Sequence, residues 1–578
     1  MIEGDNVNKY DVFSEWRQCY NYSSMRNGLL SWYDFKAGSR ILEVNPQMGA
    51  LTGLLASKCR ELVCVIRSEN DKVNLEKRFS HFTNIRLVYS NQIEGFFDYI
   101  IAYDPFCYYE TGKDIIEYYK EWEKMLSPKG ILLLMINNAF SPLACLSAKN
   151  SHNRGDSIAS LNKELSQIYR KIKCYYVYPD MVFPQDIYTD EYPPNRNIAC
   201  SVIPYSAVLD NSYEDILEFY KKSFDVMDEK NIAGSFIVEC TNDGEFDDVQ
   251  RVKITSDRRN GMLTVIRKDK AYKLGYDSNR VESVKLILAN HEEMKKAGIN
   301  VVETKYVENR LEMPIIKAPL LKDVLINLSV DEAVCVWDSF VENIRKSSEI
   351  CKSSQEWDEK YLRHSWGDVL KTGYIEMTPI NCFYDDGNFI FFDQEYSMHN
   401  CPINFIIFRS IVHVYGENSQ CEIVEILKKR YGLNELWDVF ILAERDFLGD
   451  ICDDENKYIK QCFFSYNQFQ YYENQRMSVQ TIKYLFSDLG NKDIICYGTG
   501  AMFKNFMNGY GRICKIPFVV DSNPELWGKS VCGIPIKSPS DINSERHRVV
   551  ITCQSVEEIK KILLSMDIQD FRYINSWE

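Results

Sequence analysis

The sequence predicts a multidomain protein of mixed α/β and α+β class, and three features support this prediction. The chain has 578 residues, which corresponds to about two to four domains. Apolar runs of strand length alternate with helical stretches in the first 240 residues, and again after residue 479. Between these segments, apolar runs separated by turn residues at 252–274 indicate a meander of strands. We therefore expect domains at residues 1–240, 248–475 and 479–578.

Composition and charge restrict the possible partners and the compartment. Hydrophobic residues make up 45% of the chain and charged residues 26%, as in an ordinary folded soluble protein. The net charge of −15 disfavours nucleic acid as a partner, because such proteins usually carry a basic face. The longest apolar run, residues 131–136, is far shorter than the ~20 residues of a transmembrane segment. The 19 cysteines show no CxxC spacing, which indicates a reducing, cytoplasmic environment.

The first segment, residues 1–240, alternates buried strands with helices. The expected strands are residues 40–44, 62–66, 85–89, 97–102 and 131–136. This alternation predicts a mostly parallel, doubly wound sheet with helices on both faces. Ligands of such sheets bind at the carboxyl ends of the strands.

The order of these strands and their motifs resembles the class I S-adenosylmethionine-dependent methyltransferases between residues 41 and 138. Glu43 falls in the first motif, Asp98 begins the fourth strand, and residues 126–130 match the turn that precedes the fifth strand of the family. The resemblance implies that Glu43, Gly49 and Asp98 lie at an S-adenosylmethionine site and that the domain transfers a methyl group.

The cofactor loop departs from the glycine-rich pattern E-x-G-x-G of that family. In residues 43–49, Pro46 removes an N–H group and fixes φ, and Met48 adds bulk where the backbone should approach the cofactor. The second strand ends without an acidic residue for the ribose, and the nearest is Glu69. A retained fold with a lost or altered cofactor site is therefore an alternative, in which Gly49 serves only helix packing.

The second segment, residues 248–475, carries three polar residues at the spacing of a phosphoryl-transfer site. Such sites need a carboxylate beside the acceptor hydroxyl, an Asn five residues later, and a second carboxylate on the next strand. Glu376, Asn381 and Asp393 stand at these offsets. Asp393 and Asn381 would hold Mg²⁺ on the phosphates of ATP, and Glu376 would orient or deprotonate the hydroxyl.

The first carboxylate is Glu where an active kinase normally has Asp, and this lengthens the side chain by one methylene. A misplacement of ~1 Å can lower a rate about a hundredfold. Binding of a nucleotide or sugar phosphate without turnover is thus an alternative, and Glu376 could also be a solvated turn residue. Lys273 on the third strand of the meander, with Glu282 at the start of the next helix, resembles the ion pair of kinase-like folds, including aminoglycoside phosphotransferases and choline kinases.

The third segment, residues 479–578, contains a strand, a glycine turn at Gly498 and Gly500, and a helix start. Asp521 ends the next strand, 21 residues after Gly500. This pattern is typical of half of a Rossmann-like unit. The segment resembles small Rossmann domains fused to sugar-modifying transferases. It implies a site for a nucleotide or nucleotide sugar, with a docking role as the alternative.

The combination of segments resembles a bacterial family in which a methyltransferase-like domain is joined to a kinase-like module. The resemblance includes residues 178–194, an aromatic and proline-rich stretch. It implies a transferase, by methyl or phosphoryl transfer, that acts on a glycan or lipid-linked sugar in cell-surface polysaccharide biosynthesis. Its partners would be other polysaccharide-assembly enzymes, in the cytoplasm or at the inner face of the membrane. The alternative is a non-catalytic binding or assembly protein built from degenerate domains.

Overall fold

The structure is a computed structural model with two compact units. The first unit includes the chain through Lys268, and the second includes Asp269–Asp453 and Leu489–Glu578. The predicted boundary at 240–248 precedes this division, and the predicted boundary at 475–479 lies outside the described residues. The structure describes residues 24–105, 115–141, 144–145, 156–194, 222–256, 258–276, 280–351, 354–361, 364–416, 421–451, 484–486, 489–490, 492–510 and 514–573.

The first unit is built on a large mixed sheet. Its strands are β1 (Arg40–Val44), β2 (Glu61–Val65), β3 (Ile85–Val88), β4 (Phe97–Tyr103), β5 (Leu126–Asn137), β6 (Lys171–Tyr178), β7 (Asp186–Tyr188), β8 (Ser235–Thr241), β9 (Val249–Thr255) and β10 (Met262–Arg267). Strands β3-β2-β1-β4-β5 are parallel neighbours in that order, as in doubly wound sheets. Strand β8 then lies antiparallel between β5 and β6. The five expected parallel strands are all present, as β1 to β5.

Helices cover the parallel part of this sheet. They are α1 (Thr52–Lys58), α2 (Glu69–Arg78), α3 (Ile115–Met125) and α4 (Ile158–Leu165). Helix α2 begins at a capping box in which the Ser68 and Asp71 side chains each bond the other's backbone N–H. Helices α3 and α4 bury aromatic and aliphatic side chains such as Trp122 and Leu161 in the same core as Phe236 of β8. This apolar face explains why the short helices are stable.

The fifth strand begins earlier than the sequence predicts. Residues 126–130 were expected to form a turn, but β5 already begins at Leu126. Leu126 is the partner of Phe97, and the register between β4 and β5 shifts between Phe97 and Tyr99. Between these two pairs β4 has one residue, Asp98, and β5 has four, 127–130, so the Pro128 segment forms an enlarged bulge within the strand.

The second unit begins with a small antiparallel sheet in the order β11-β13-β12 and the helix α5. The bounds are β11 (Lys270–Gly275), α5 (Val281–Lys296), β12 (Lys305–Val307) and β13 (Arg310–Pro314). The predicted meander is present as β9, β10 and β11, and the division between the two units falls after β10. Helix α5 begins at Val281, so Glu282 lies at the start of a helix as predicted.

A helical region with short hairpins follows, and it contains the next candidate site. Its elements are α6 (Leu321–Leu325), α7 (Val330–Lys346), β14 (Ile350–Cys351), α8 (Gln355–Tyr361), β15 (Val369–Tyr374), β16 (Cys382–Asp385), β17 (Asn388–Phe391), β18 (Ser397–Pro402), α9 (Ile403–Tyr415), α10 (Glu422–Arg430) and α11 (Trp437–Ile451). One hydrophobic core joins α7, α9 and α11 through Trp337, Phe405 and Phe440. The apolar helix α9 is buried along most of its length. This core therefore supports the loop that precedes hairpin β16–β17.

The last part of the second unit alternates strands and helices, as predicted. Its elements are β19 (Asp493–Tyr497), α12 (Ala501–Tyr510), β20 (Val519–Val520), β21 (Ser530–Val531), β22 (Ile534–Lys537), β23 (His547–Ile551), α13 (Val556–Ser565) and β24 (Phe571–Tyr573). The sheet order is β21-β22-β20-β19-β23-β24, parallel except for the pair β21–β22. Within the described residues, no helix is long and apolar enough to cross a bilayer.

Candidate functional site

The loop after β1 keeps a glycine-like backbone although the glycines of the methyltransferase pattern are absent. Asn45 and Gln47 stand at the two glycine positions of that pattern, and their φ angles are 60° and 53°. Gly49 follows with a φ of 82°. The left-handed region is open to Gly and tolerated by Asn, but it is unfavourable for most other residues. Three residues of this loop thus adopt backbone that glycine most easily supplies.

Side chains from two other segments meet this loop at the carboxyl ends of β1 and β4. The amide Nδ2 of Asn45 donates to the carbonyl oxygens of Tyr103 at 2.9 Å and Asp104 at 3.1 Å. Arg26 is only 1% exposed. Its Nη1 donates to Oε1 of Gln47 at 3.2 Å, and its guanidinium lies 5.0 Å from the centre of the Tyr103 ring. A buried cation therefore lies at the edge where ligands of this fold bind.

Glu43 connects three elements below the loop. The carboxyl group is 1% exposed, and its Oε2 accepts from Thr52 Oγ1 at 2.7 Å and from Cys64 Sγ at 3.3 Å. Burial raises the pKa of Glu43 to about 7, and the two hydrogen bonds oppose this shift. These contacts tie β1 to α1 and β2, and direct binding of a cofactor by Glu43 stays a prediction.

Gly49 and Asp98, the other predicted residues of this site, make structural contacts. A Cβ at Gly49 would lie 2.4 Å from the ring of Phe79, so a glycine is required for packing as well as for its φ. Asp98 accepts hydrogen bonds from the Arg40 N–H at 2.9 Å and from Ser127 Oγ at 3.2 Å. These contacts lie at the amino end of β4, opposite the Tyr103 edge. The structure therefore places Asp98 away from the edge where a cofactor would bind.

The end of β2 offers no acidic side chain for a ribose. Ile66 is buried there and Arg67 is exposed. The Glu69 side chain is 68% exposed, and its Oε2 accepts from the Tyr89 hydroxyl at 3.0 Å. Arg26 is therefore the residue of this edge that could hold the carboxylate of S-adenosylmethionine. No acidic side chain at the end of β2 is placed to hold its ribose.

The second unit brings Lys273 and Asp393 together. Lys273 is 5% exposed and forms an ion pair with Oδ1 of Asp393. Asp393 has a φ of 57°, a strained value for a non-glycine residue that is frequent at functional sites. A buried cation, Lys273, thus faces a carboxylate that could bind a metal, Asp393.

The predicted ion pair between Lys273 and Glu282 is not formed. The Glu282 side chain is 79% exposed and bonds Lys285 on the same helix at 2.6 Å. The residues that α5 buries are Ser283, Val284, Ile287, His291 and Met294, none of which is acidic. Burial lowers the pKa of His291 to about 4, with smaller contributions from Lys295 and Lys273, so this histidine is neutral. Asp393 is therefore the carboxylate that meets Lys273.

Glu376 and Asn381 lie next to this pair and hold the backbone around it. Oε2 of Glu376 accepts from the N–H groups of Glu395 at 2.8 Å and Tyr396 at 3.2 Å. The carbonyl oxygen of Glu376 accepts from Asn381 Nδ2 at 3.3 Å and Gln394 Nε2 at 3.0 Å. Among the described residues, no three His, Cys, Asp or Glu side chains converge as a metal cage. A bound Mg²⁺ would thus rely on Asn381, Asp393 and oxygens from phosphate or water.

The glycine turn after β19 meets the predicted acid. Oδ2 of Asp521 accepts from the N–H of Thr499 at 3.2 Å and from its hydroxyl at 2.7 Å. Gly498 has a φ of 105°, and a Cβ there would lie 2.9 Å from Cβ of Cys553. A Cβ at Gly500 would face open space. The structure thus brings Gly498, Gly500 and Asp521 together, with the carboxylate turned toward the loop.

Sequence reasoning missed Arg26 and the backbone role of Asn45 and Gln47. Arg26 belongs to no motif, and its burial follows from the short 3-10 helix Ser24–Leu29 in which it lies. Asn45 was read as the loss of a glycine. A signal was present, because Asn is the non-glycine residue that most readily adopts left-handed backbone.

Comparisons with known proteins give a short family match and a set of distant structures. A family model described as C2185-like, N-terminal, matches residues 490–574. No curated protein matches the chain. Several of the similar solved structures are methyltransferases. N-methyltransferase NodS from Bradyrhizobium japonicum WM9 is 20% identical over 26% of this chain and 82% of its own, with a TM-score of 0.21.

A second similar structure is a SAM-dependent methyltransferase, possible histamine N-methyltransferase, from Thermotoga maritima. It is 14% identical over 40% of this chain and 99% of its own, with a TM-score of 0.27. NodS has also been solved with S-adenosyl-L-homocysteine, and that structure is 16% identical over 41% of this chain and 99% of its own, with a TM-score of 0.23.

Proposed function

We propose that the chain is a transferase whose first unit moves a methyl group from S-adenosylmethionine to a glycan or lipid-linked sugar. The observation that carries this proposal is the left-handed loop of Asn45 and Gln47 beside the buried Arg26, at the carboxyl edge of a doubly wound sheet. This edge is where such sheets bind ligands. The glycan acceptor and a cytoplasmic role in polysaccharide biosynthesis rest on the resemblance described above.

S-adenosylmethionine would supply the activated methyl group. The guanidinium of Arg26 would bind the carboxylate at its amino-acid end, since Arg pairs with carboxylates through charge-assisted hydrogen bonds. The backbone of residues 45–49 would approach the cofactor as a glycine loop does. Without an acid after β2, the ribose would bind through weaker contacts. We therefore expect affinity for the cofactor to depend strongly on Arg26.

The test is formation of S-adenosylhomocysteine by the full chain, with lipid-linked oligosaccharides and purified surface polysaccharide as acceptors. Wild type should form product with one acceptor class, and Arg26→Met should reduce product formation at least tenfold. Arg86→Met changes an arginine whose side chain is 42% exposed, and it should leave the rate unchanged. Absence of product with every acceptor, together with absence of cofactor binding, would favour a non-catalytic assembly protein.

A second candidate function is binding of a nucleotide with Mg²⁺ in the second unit, which we propose to be kinase-like. The ion pair between the buried Lys273 and the left-handed Asp393 favours it. In phosphoryl-transfer sites a lysine contacts the phosphates and an Asp holds the metal that bridges them. The loop with Gly498, Gly500 and Asp521 would form a Rossmann-like site for a nucleotide or nucleotide sugar.

Titration of the full chain with ADP tests the second candidate. We expect saturable binding that Mg²⁺ strengthens, and we expect Asp393→Ala to abolish this strengthening. Glu282→Ala is the matched control, because Glu282 lies on the exposed side of α5. Equal binding by wild type and Asp393→Ala would contradict a metal site at Asp393.

A further inference from the structure

The position of the Glu376 carboxylate decides what the second unit can do with a nucleotide. A general base must reach the hydroxyl proton that it removes. Oε2 of Glu376 already accepts two backbone N–H groups, those of Glu395 at 2.8 Å and Tyr396 at 3.2 Å. These two residues follow Asp393 closely in the chain. The carboxylate is therefore directed at the segment that carries the metal-type ligand.

The segment around Asp393 is fixed on both sides by hydrogen bonds. Before Asp393, the N–H of Phe392 donates to the carbonyl oxygen of Asn381 at 3.0 Å. After it, the fully buried side chain of Gln394 donates to the carbonyl oxygens of Glu376 at 3.0 Å and Phe392 at 2.8 Å. Strained backbone such as that of Asp393 persists only where its surroundings determine it. The Glu376 carboxylate adds another restraint, on the residues that follow Asp393.

A further restraint comes from helix α5. Nδ2 of Asn290 donates to the carbonyl oxygen of Gln394 at 2.8 Å. Two buried polar atoms in this region, Oε1 of Gln394 and Oγ1 of Thr378, have no hydrogen-bond partner within the described part of the chain. Buried polar atoms normally have a partner, which can be a water or an ion. These atoms are consistent with a site that is completed by a hydrated ligand.

We infer that Glu376 is a positioning residue for Asp393, and that the second unit binds a Mg²⁺-nucleotide without transferring its phosphoryl group. This inference rests on the nucleotide binding proposed above. Glu376 contributes through Oε2, which orders residues 393–396 and thereby sets the affinity for Mg²⁺ at Asp393. Because Oε2 holds two backbone N–H groups, the carboxylate is committed to the segment that follows Asp393, as a positioning residue would be.

The two roles of Glu376 make opposite predictions for a shorter side chain. Glu376→Asp cannot reach the N–H groups of Glu395 and Tyr396 in the same way, so a positioning role predicts weaker Mg²⁺-ADP binding and no ATP turnover. A misplaced base predicts the reverse, since Asp is the residue found in active phosphoryl-transfer sites. Appearance of ATP turnover in Glu376→Asp would overturn the inference.

The experiment is calorimetric titration of the full chain with ADP, with and without Mg²⁺, beside an ATP hydrolysis assay. We expect Glu376→Ala to weaken Mg²⁺-ADP binding about tenfold or more, because two charge-assisted hydrogen bonds are lost. ADP binding without Mg²⁺ should change by less than about threefold. Glu376→Gln keeps an acceptor oxygen and should bind Mg²⁺-ADP within about fivefold of wild type. Glu349→Ala, at a carboxylate that is 81% exposed, is the control.

The outcomes separate the inference from the function on which it rests. A general loss of stability would weaken ADP binding equally with and without Mg²⁺, and this result would overturn the positioning role. Binding by wild type that is lost in Asp393→Ala but retained in Glu376→Ala would overturn the inference alone. If wild type does not bind Mg²⁺-ADP, both the inference and the proposed nucleotide site are overturned.

Discussion

Replacement of Glu43 by Gln should stabilise the protein at neutral and alkaline pH. Glu43 is 1% exposed, and no cationic partner contributes to its pKa, which burial raises from 4.5 to about 7. Thr52 and Cys64 each donate to the same oxygen, Oε2. Gln retains a carbonyl oxygen that can accept both bonds and carries no charge. The substitution therefore removes the burial of a charge and keeps the hydrogen bonds.

The size and the pH range of the effect follow from the shift in pKa. A group whose pKa is higher in the folded state binds more protons there, so its contribution to stability is complete below the unfolded value. This contribution falls as the pH rises from about 4.5 through about 7. The difference between these values, at about 1.4 kcal/mol for each pH unit, corresponds to about 3 kcal/mol. Above pH 8, the free energy of unfolding of Glu43→Gln should thus exceed that of wild type by up to about 3 kcal/mol.

The assay is urea unfolding of wild type and Glu43→Gln at pH 5 and pH 8.5, in the same buffer system. The difference between the two proteins should be small at pH 5 and large at pH 8.5. Glu76→Gln, at an exposed position of α2, should show no such change with pH. The reasoning is refuted if Glu43→Gln is less stable than wild type at pH 8.5, or if its stability depends on pH as strongly as that of wild type.

Three further predictions concern other parts of the fold. Gly234→Ala should lower the free energy of unfolding by about 2 kcal/mol or more, measured by urea unfolding, because the new Cβ would lie 1.6 Å from the carbonyl oxygen of Pro179. Lys58→Met should remove a rise of stability between about pH 8 and pH 10.5 in the same assay, because burial lowers the pKa of Lys58 to about 8 and the unfolded chain binds the extra proton in that range. Asp521→Ala should expose the amides of residues 498–500 to faster hydrogen exchange, because the carboxylate holds the N–H and hydroxyl of Thr499.

A specific result would contradict each of these three predictions. Gly449→Ala is the control for Gly234→Ala, because a Cβ at Gly449 meets no atom within 4 Å. Equal changes in the free energy of unfolding for Gly234→Ala and Gly449→Ala would contradict the steric argument. If the free energies of unfolding of Lys58→Met and wild type differ by the same amount at pH 8 and pH 10.5, the shifted pKa of Lys58 is contradicted. Unaltered exchange after Asp521→Ala would show that the loop is ordered by other contacts.

The helices and strands were easier to predict from the sequence than the pairing of the strands in the sheet. The strands β1–β5 and helix α5 follow from apolar periodicity, which is a local property of the chain. The insertion of β8 between β5 and β6 depends on pairings across 58 or more residues, such as Ser235 with Val177 and with Asn137, and no local pattern encodes it. The fold class was therefore accessible from the sequence, whereas the full strand order was not.

The candidate sites show why residue roles were harder to predict. Glu282 stands at a plausible spacing from Lys273, but its side chain faces solvent. Its orientation depends on which face of α5 is buried, and the spacing in the sequence does not determine that face. Asp98 bonds the backbone of Arg40 at the amino end of β4, and its role at a cofactor site stays a prediction. Glu376, Asn381 and Asp393 do lie together, because the short β16–β17 hairpin leaves their segments close. Orientation and burial, which depend on the whole fold, decided the remaining roles.

The central claim is that the first unit binds S-adenosylmethionine through a buried arginine. Calorimetric titration of the full chain with S-adenosylmethionine tests it most directly, with Arg26→Met and Arg86→Met as the variant and its control. The account predicts saturable binding to wild type and Arg86→Met, and at least tenfold weaker binding to Arg26→Met. No binding to wild type, with binding restored by replacing Asn45 and Gln47 with glycine, would contradict the account and show that these side chains close the site.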